Sequence, residues 1–346
     1  MAPRNPTAPF PDDVPTANLS IIDFDLLRNG DKTEAQNLYA ASQGCGFFYV
    51  KNHHIDSDFM LDLANETYAL PIEEKMKYDM GTTGSYFGYK RSGASYVDEK
   101  GTPDQIESYN ISKDDILRVG NSAPLLQPEP INKRRRELDS FMRSSHAVAM
   151  TVLRTLGERL GLDPDLLPSL HRINRTGGDQ ARVTHTPPAN GSVVALGEHT
   201  DFGSVTVLFN HMGGLQVLNP DSKEWKYVKP EPGCAVINLG DAIVKLVNSK
   251  LHSGLHRVVS PPGEQAKLPR HSVVYFSRPN GDVVLRPLFN GILQEGVEEP
   301  EEQWMTADEW IVHRAVLRNM AAYTGPETFH ASQGTEHTKR NREITV

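Results

Sequence analysis

Apolar residues in the first half of the chain recur at helical spacing. Leu138, Phe141, Ala149, Val152, Leu156 and Leu160 follow one another at intervals near three, four or their multiples, which predicts a long helix over 132–160 stopped by Gly161 and Pro164. Upstream, 20–24 reads as a short strand and Asp31 with Glu34 as a capping box for a helix that stops by Gly44. A buried strand follows over 46–51. A second helix after Asp56 or Ser57 carries Phe59, Leu63 and Leu70 on one face, and Pro71 suits the first turn of another. Past about Arg182 the texture changes to short β-rich runs, 205–209, 215–218, 235–239, 256–260, 272–276 and 283–285, separated by turns such as 219–221 and 261–263. A capping box from Thr306 to Glu309 opens a closing helix expected to turn Trp310, Leu317 and Met320 inward.

This pattern divides the chain. Residues 1–18, with Pro3, Pro6, Pro9, Pro11 and Pro15, read as an extended arm. A single domain spans 19–324, helix-rich over 19–181, β-rich over 182–290 and helical again over 291–324; 325–346 reads as a polar tail. Residues 82–102 mix Gly84, Gly88, Gly93 and Gly101 with Tyr86, Phe87, Tyr89 and Tyr96, which suits either an aromatic loop over a pocket or a plain solvent loop. There is no internal repeat.

Charge and cysteine content narrow the function classes. With 36 basic and 44 acidic side chains among 346 residues, the net charge of −8 gives no global field for nucleic acid or anionic lipid. The basic run 133–136 reads as a solvated helix start. Cys45 and Cys234 sit in apolar settings and suit buried reduced thiols rather than a disulfide framework. The apolar run 147–153 is far below the roughly 20 residues of a membrane span, and the proline-rich start lacks a signal-peptide core. The expectation is a soluble, cytoplasmic protein acting on a small molecule, without nucleic-acid or membrane partners.

His199-Thr200-Asp201 stands just before the strand 205–209, and extended residues two apart face the same side, so an imidazole and a carboxylate can chelate one metal. His256 opens a strand-like run that can return beside this pair. His252, four residues earlier, is a rival on the same side. Two histidines and a carboxylate on one face of an octahedral ion leave three positions open, which points to non-haem Fe(II). Zinc with a bound water is the competitor, although no H-E-x-x-H helix is present. Arg270 and Ser272 share a strand face and can grip a carboxylate through paired hydrogen bonds, or else Arg270 is a surface residue at a strand start. His185, His211 and His271 read as packed histidines, and Phe202 as either a substrate contact or core.

Taken in order, 21–24 (Ile-Ile-Asp-Phe), 46–53 (Gly-Phe-Phe-Tyr-Val-Lys-Asn-His), Gly88-Tyr89, Glu107 with Tyr109, His199-Thr200-Asp201, 213–217, Asn238 with Gly240-Asp241, His256-Arg257-Val258 and Arg270-His271-Ser272 resemble the isopenicillin-N-synthase-like family of Fe(II)- and 2-oxoglutarate-dependent dioxygenases. The resemblance implies a mainly β fold with flanking helices, built on a distorted double-stranded β-helix, a jelly-roll, cupin-like barrel. It implies His199, Asp201 and His256, rather than His252, as iron ligands, and Arg270 with Ser272 as the clamp for the distal carboxylate of 2-oxoglutarate. Thr184 and Thr186 stand where many members have Asn and Tyr before a proline, so the oxo-acid is expected to be held differently here. His54 stands where Gly is common and is expected to alter a turn. The implied cofactors are Fe(II), 2-oxoglutarate and O2, with ascorbate as a supporting reductant. The implied activity is oxidation of a small organic metabolite by hydroxylation, desaturation or ring formation/rearrangement, with release of succinate and CO2, in specialised metabolism of the fungal kind. Two alternatives stay open: an iron oxidase without 2-oxoglutarate in which Arg270 and Ser272 hold the substrate's carboxylate, and a zinc hydrolase or non-catalytic ligand-binding barrel.

Overall fold

Alternation along the strands sets the layering. The structure, a computed structural model, describes residues 8–289 apart from 84, 122 and 190, together with 292–293 and 304–334. Its strands are β1 (Ile21–Asp23), β2 (Phe47–Lys51), β3 (Gly88–Lys90), β4 (Glu107–Ser112), β5 (Gln180–Thr186), β6 (Val194–His199), β7 (Val205–Asn210), β8 (Leu215–Leu218), β9 (Trp225–Tyr227), β10 (Cys234–Leu239), β11 (His256–Val259) and β12 (Arg270–Ser277). The larger sheet runs β1-β2-β10-β7-β12-β5-β4-β3 and the smaller β6-β11-β8-β9. Odd and even positions part cleanly. Phe47, Tyr49, Leu208, Val236, Val274 and Phe276 of the larger sheet pack with Leu215 and Val217 of the smaller, whereas Phe48, Val50, Val207, Ile237, Val273 and Tyr275 face the helices. The result is the expected double-stranded β-helix with helices on its outer face.

The helical layer is anchored by Arg135–Arg159, whose Leu138, Phe141, Val148, Val152 and Leu156 are buried. Phe141 meets Phe209 of β7 at 5.9 Å and Phe59 of helix Asp58–Tyr68 at 6.2 Å between ring centroids. Each such Leu or Phe contributes about 1.5–3 kcal/mol by burial. The long helix begins later than its periodicity predicts, because Pro130 opens a separate short helix, Glu129–Lys133, and Arg134 leaves helical geometry to pair with Glu66.

Several expectations are corrected. The strand expected over 20–24 ends at Asp23, whose carboxylate accepts from Asp25 N–H at 3.0 Å and caps a helix, Phe24–Arg28. Asp31 caps Lys32–Gln43 through Glu34 N–H at 2.8 Å, but the Glu34 carboxylate accepts from Asp23 N–H rather than closing the box. His54 takes the left-handed conformation a glycine would, with φ 54°, and bonds Asp25 at 3.0 Å. The run 283–285 makes only a single bridge, Val284 to Thr306. Segment 82–102 contains β3. The described part of the proline-rich arm is extended but docked, with Thr16 bridged to Tyr227 and Gln265 donating to Ala8 O at 2.8 Å.

The Thr306–Glu309 capping box is present, but helix Ala307–Leu317 buries Ala307, Ile311 and Arg314, while Trp310, Leu317 and Met320 are half-buried. Residues assigned to a polar tail form a helix, Pro326–Gln333, with Phe329, Ser332 and Gln333 buried; 335–346 lie outside the described residues. Cys45 and Cys234 are free and half-buried. Among the described residues no helix is long and apolar enough to cross a membrane.

One close approach sets the base of the barrel. Gly46 has φ 70°, and a Cβ there would collide with the His252 carbonyl, so only glycine lets β2 lie against the segment leading into β11. Gly46→Ala is expected to cost about 2 kcal/mol or more, read as a lowered denaturant midpoint at unchanged m-value. A midpoint equal to wild type would show that the two segments separate freely.

Candidate metal centre and active site

β6 ends and β11 begins with histidines that are direct ladder partners, His256 opposite His199. Asp201, two residues past His199, returns its carboxylate to the same side. The imidazole centroids are 4.3 Å apart, and Asp201 Oδ1 lies 4.0 Å from His199 Nε2 and 3.8 Å from His256 Nε2. All three residues are buried and form the metal-capable group among the described residues. His252 is outside it.

Each ring is oriented from behind. Nδ1 of His199 donates to the Gly197 carbonyl at 2.8 Å and Nδ1 of His256 to the Gly254 carbonyl at 3.0 Å, which turns both Nε2 lone pairs toward Asp201. Asp201 Oδ2 accepts from Thr206 Oγ1 at 2.6 Å and Asn238 Nδ2 at 2.7 Å, leaving Oδ1 for the centre. Burial, helped by the charges of Arg318 and His256, holds His199 well below its usual pKa and therefore neutral. Burial alone would raise Asp201, but His256, the bonds from Asn238 and Thr206, and the charge of Arg182 outweigh it and keep the carboxyl below its usual range. Oriented imidazoles and an ionised carboxylate suit a divalent metal bound on three facial positions.

The loop between these ligands is braced by the closing elements. Thr200 N–H donates to Gln333 O at 2.8 Å and its hydroxyl to Asp241 at 3.0 Å, while Asp241 receives the buried guanidinium of Arg314. Gly240 lets the chain before Asp241 touch the carbonyls of Gly203 and Asp201, where any Cβ would collide.

A cavity of about 870 Å3 opens from the metal-capable group between the sheets, walled also by Ser85, Tyr86 and Tyr89 and by the closing helix. The aromatic segment is thus a pocket wall. Arg270 and Ser272, on the inward face of β12, both line it, and Thr184 of β5 stands directly opposite Ser272, accepting its N–H at 3.2 Å. Arg270 Nε donates to Gly213 O at 2.7 Å; among the described residues no acid pairs with it, and burial lowers it to about 10. Thr186 lies opposite Arg270 but outside the cavity wall, its buried hydroxyl without a partner. Phe202 lines the cavity and also packs under Arg314, whose guanidinium is 4.6 Å from its ring. His185 and His271 stack with Tyr68 on the outer face, and burial lowers His271 to about 4. Burial also lowers His211.

Thr206, Arg182, Arg278 and Arg318 were not singled out by the sequence. Arg182 shares the strand face of Thr184 two residues on, a signal the β-period carries; Arg318 is one turn past Arg314.

Residues 171–279 match the family model of the 2OG-Fe(II) oxygenase superfamily, and 19–132 that of the non-haem dioxygenase N-terminal region described from morphine synthesis. The chain is 32% identical to the 2-oxoglutarate-dependent dioxygenase frbH of a Dothideomycetidae species, over 79% of this chain and 85% of that one. It belongs to the 2OG-Fe(II) oxygenase superfamily. The fold agrees: Neurospora crassa T7H in complex with alpha-KG and thymine superposes with a TM-score of 0.70 at 27% identity, covering 88% of this chain and 96% of that one. A 2OG-Fe(II) oxygenase family protein of Caulobacter crescentus gives 0.72 at 28%, covering 87% and 99%. The chain is accordingly an oxidoreductase, a dioxygenase using Fe(II), 2-oxoglutarate and O2, and relatives of this kind support that reading over the two alternatives left open by the residues.

Asn238 tests the brace behind Asp201. Asn238→Ala is expected to weaken divalent-metal affinity about 10–100-fold, measured by chelator competition on folded protein. An affinity within about twofold of wild type would show that Thr206 suffices.

Proposed function

We propose that His199, Asp201 and His256 hold the Fe(II) and that Arg270 with Ser272 receives the distal carboxylate of 2-oxoglutarate. The observation that carries this is the pairing of two unbonded Nε2 atoms around Asp201 Oδ1 with a fully buried, acid-free Arg270 in the same cavity. The carbonyl of Gly213 fixes the Arg270 guanidinium through Nε, leaving its outer nitrogens for a bidentate carboxylate. Thr184, already bonded to the Ser272 backbone, lines the cavity beside Ser272, while Thr186 contributes to the ladder rather than the pocket.

Bound iron and 2-oxoglutarate supply the oxidising chemistry; this chain places one substrate C–H bond and walls it from water. Aromatic and apolar groups, Tyr86, Tyr89, Phe202, Ile311 and Val316, form that wall. The substrate is a small organic metabolite of specialised metabolism, a reading supported by cavity size and by fungal relatives, one of which is seen with thymine. Free thiols and the absence, among the described residues, of a membrane-crossing helix support a cytoplasmic location.

Anaerobic titration of the protein with Fe(II) and then 2-oxoglutarate tests the assignment through the visible charge-transfer band of the chelate. Wild type is expected to form the band, Arg270→Ala to need about 10–100-fold more 2-oxoglutarate, and His199→Ala to form none. An Arg270→Ala titration that overlays wild type would remove the clamp, and a band in His199→Ala would remove the ligand.

A further inference from the structure

Arg270 is not the only acid-free cation in the cavity. Arg182, Arg278 and Arg318 also line it, and among the described residues none forms a salt bridge. Arg182 is held by Nε, which donates to Asn110 at 2.6 Å, and its guanidinium lies 4.7 Å from the centroid of Phe276. Arg278 donates to the Gly178 carbonyl and lies 5.4 Å from the same ring, with its Nε buried and unpartnered. Phe276 therefore meets two guanidinium groups. Arg318, the residue that ends helix Ala307–Leu317, enters from the closing helix, and its guanidinium donates no hydrogen bond among the described residues.

Asp201 and Asp104 act on these arginines only from a distance, and among the described residues no acid of the cavity forms an ion pair with them. Asp104 is engaged by Lys90, and Asp201 belongs to the metal-capable group. Arg278 is buried and Arg182 and Arg318 are half-buried in the cavity wall, so their like charges oppose one another there, and an anion that enters relieves that repulsion. One 2-oxoglutarate carboxylate satisfies Arg270 and leaves the other three.

We propose that the prime substrate is a small organic acid whose carboxylate is received by Arg182 and Arg318, with Arg278 reinforcing the field and the apolar body resting on Phe202, Ile311 and Val312. This deepens the dioxygenase reading and rests on it for the word substrate. Planar guanidinium forks match a carboxylate edge-on. The cavity of about 870 Å3 leaves room for such an acid beside 2-oxoglutarate. Anchoring the carboxylate fixes which carbon of the body faces the metal, so Arg182 and Arg318 are specificity-determining residues.

Matched carboxylic acids and their primary amides, with aliphatic, alicyclic and aromatic bodies small enough for the cavity, are titrated into anaerobic protein loaded with Fe(II) and 2-oxoglutarate. Binding is read from the shift of the visible band. In wild type at least one acid is expected to bind about tenfold or more tightly than its amide. That preference is expected to fall toward unity in Arg182→Gln and in Arg318→Gln. The ratio within each variant is the readout, because a folding defect weakens acid and amide alike. Amides that match or surpass their acids throughout, or a preference that survives both substitutions, would overturn the proposal. If wild type forms no visible band, the iron and 2-oxoglutarate reading fails separately. The same pairs are then compared by calorimetry on metal-free protein in an Arg270→Ala background: an acid preference abolished by either Gln substitution supports the anion pocket, and any other result overturns it.

Discussion

The molecule turns on one backbone pairing, His256 opposite His199 in neighbouring antiparallel strands. Because side chains alternate across a strand, that register sends both rings to the same face, and Asp201, two residues on, joins them without any further device. A slip of one residue would turn His256 outward. The register is held by the strands around it, by Gly46 beneath and by the Thr200 brace above, so the barrel, the helical shell and the C-terminal helix all serve a geometry set by three side chains.

Legibility followed range. The His199–Asp201 pair could be read because His-x-Asp is local, whereas the residues left His252 and His256 as rivals for the third position and the family resemblance favoured His256. Arg270 and Ser272 were visible as a shared strand face, and the order of the motifs and the resemblance gave them the role of a clamp. What escaped depends on partners far away in sequence. Glu34 looks like half of a capping box, yet its carboxylate goes to Asp23, and nothing near Glu34 announces this. The Pro326–Gln333 helix can be polar in composition because Ser332 Oγ donates to the Phe329 carbonyl at 2.8 Å and Gln333 Nε2 donates to Glu198, a distant partner that periodicity cannot foresee. Helix Ala307–Leu317 was expected to bury Trp310, but its inward face holds Arg314, a charge tolerable there only because Asp241 meets it. Arg182 lies outside the Thr184–Pro187 motif, and only the strand period links it to Thr184 on the same face.

Charge is distributed unevenly between surface and interior. The chain as a whole carries a net −8, while its cavity gathers guanidinium groups on β5, β12, the Arg278 segment and the closing helix. An acidic exterior slows non-specific capture of polyanions, and a cationic interior rewards small anions that get inside. The two tendencies together favour compact acids over polymers.

The orientation of the two histidines has a consequence for how such a protein can diverge. Each ring is aimed by a main-chain carbonyl, at Gly197 and Gly254, and not by a side chain. Substitution can delete a carboxylate or an amide, but every residue brings a carbonyl. The tautomer and tilt of the rings are therefore inherited with the strand path itself, and the pocket walls are free to drift in sequence while the donor pair at their centre keeps its aim.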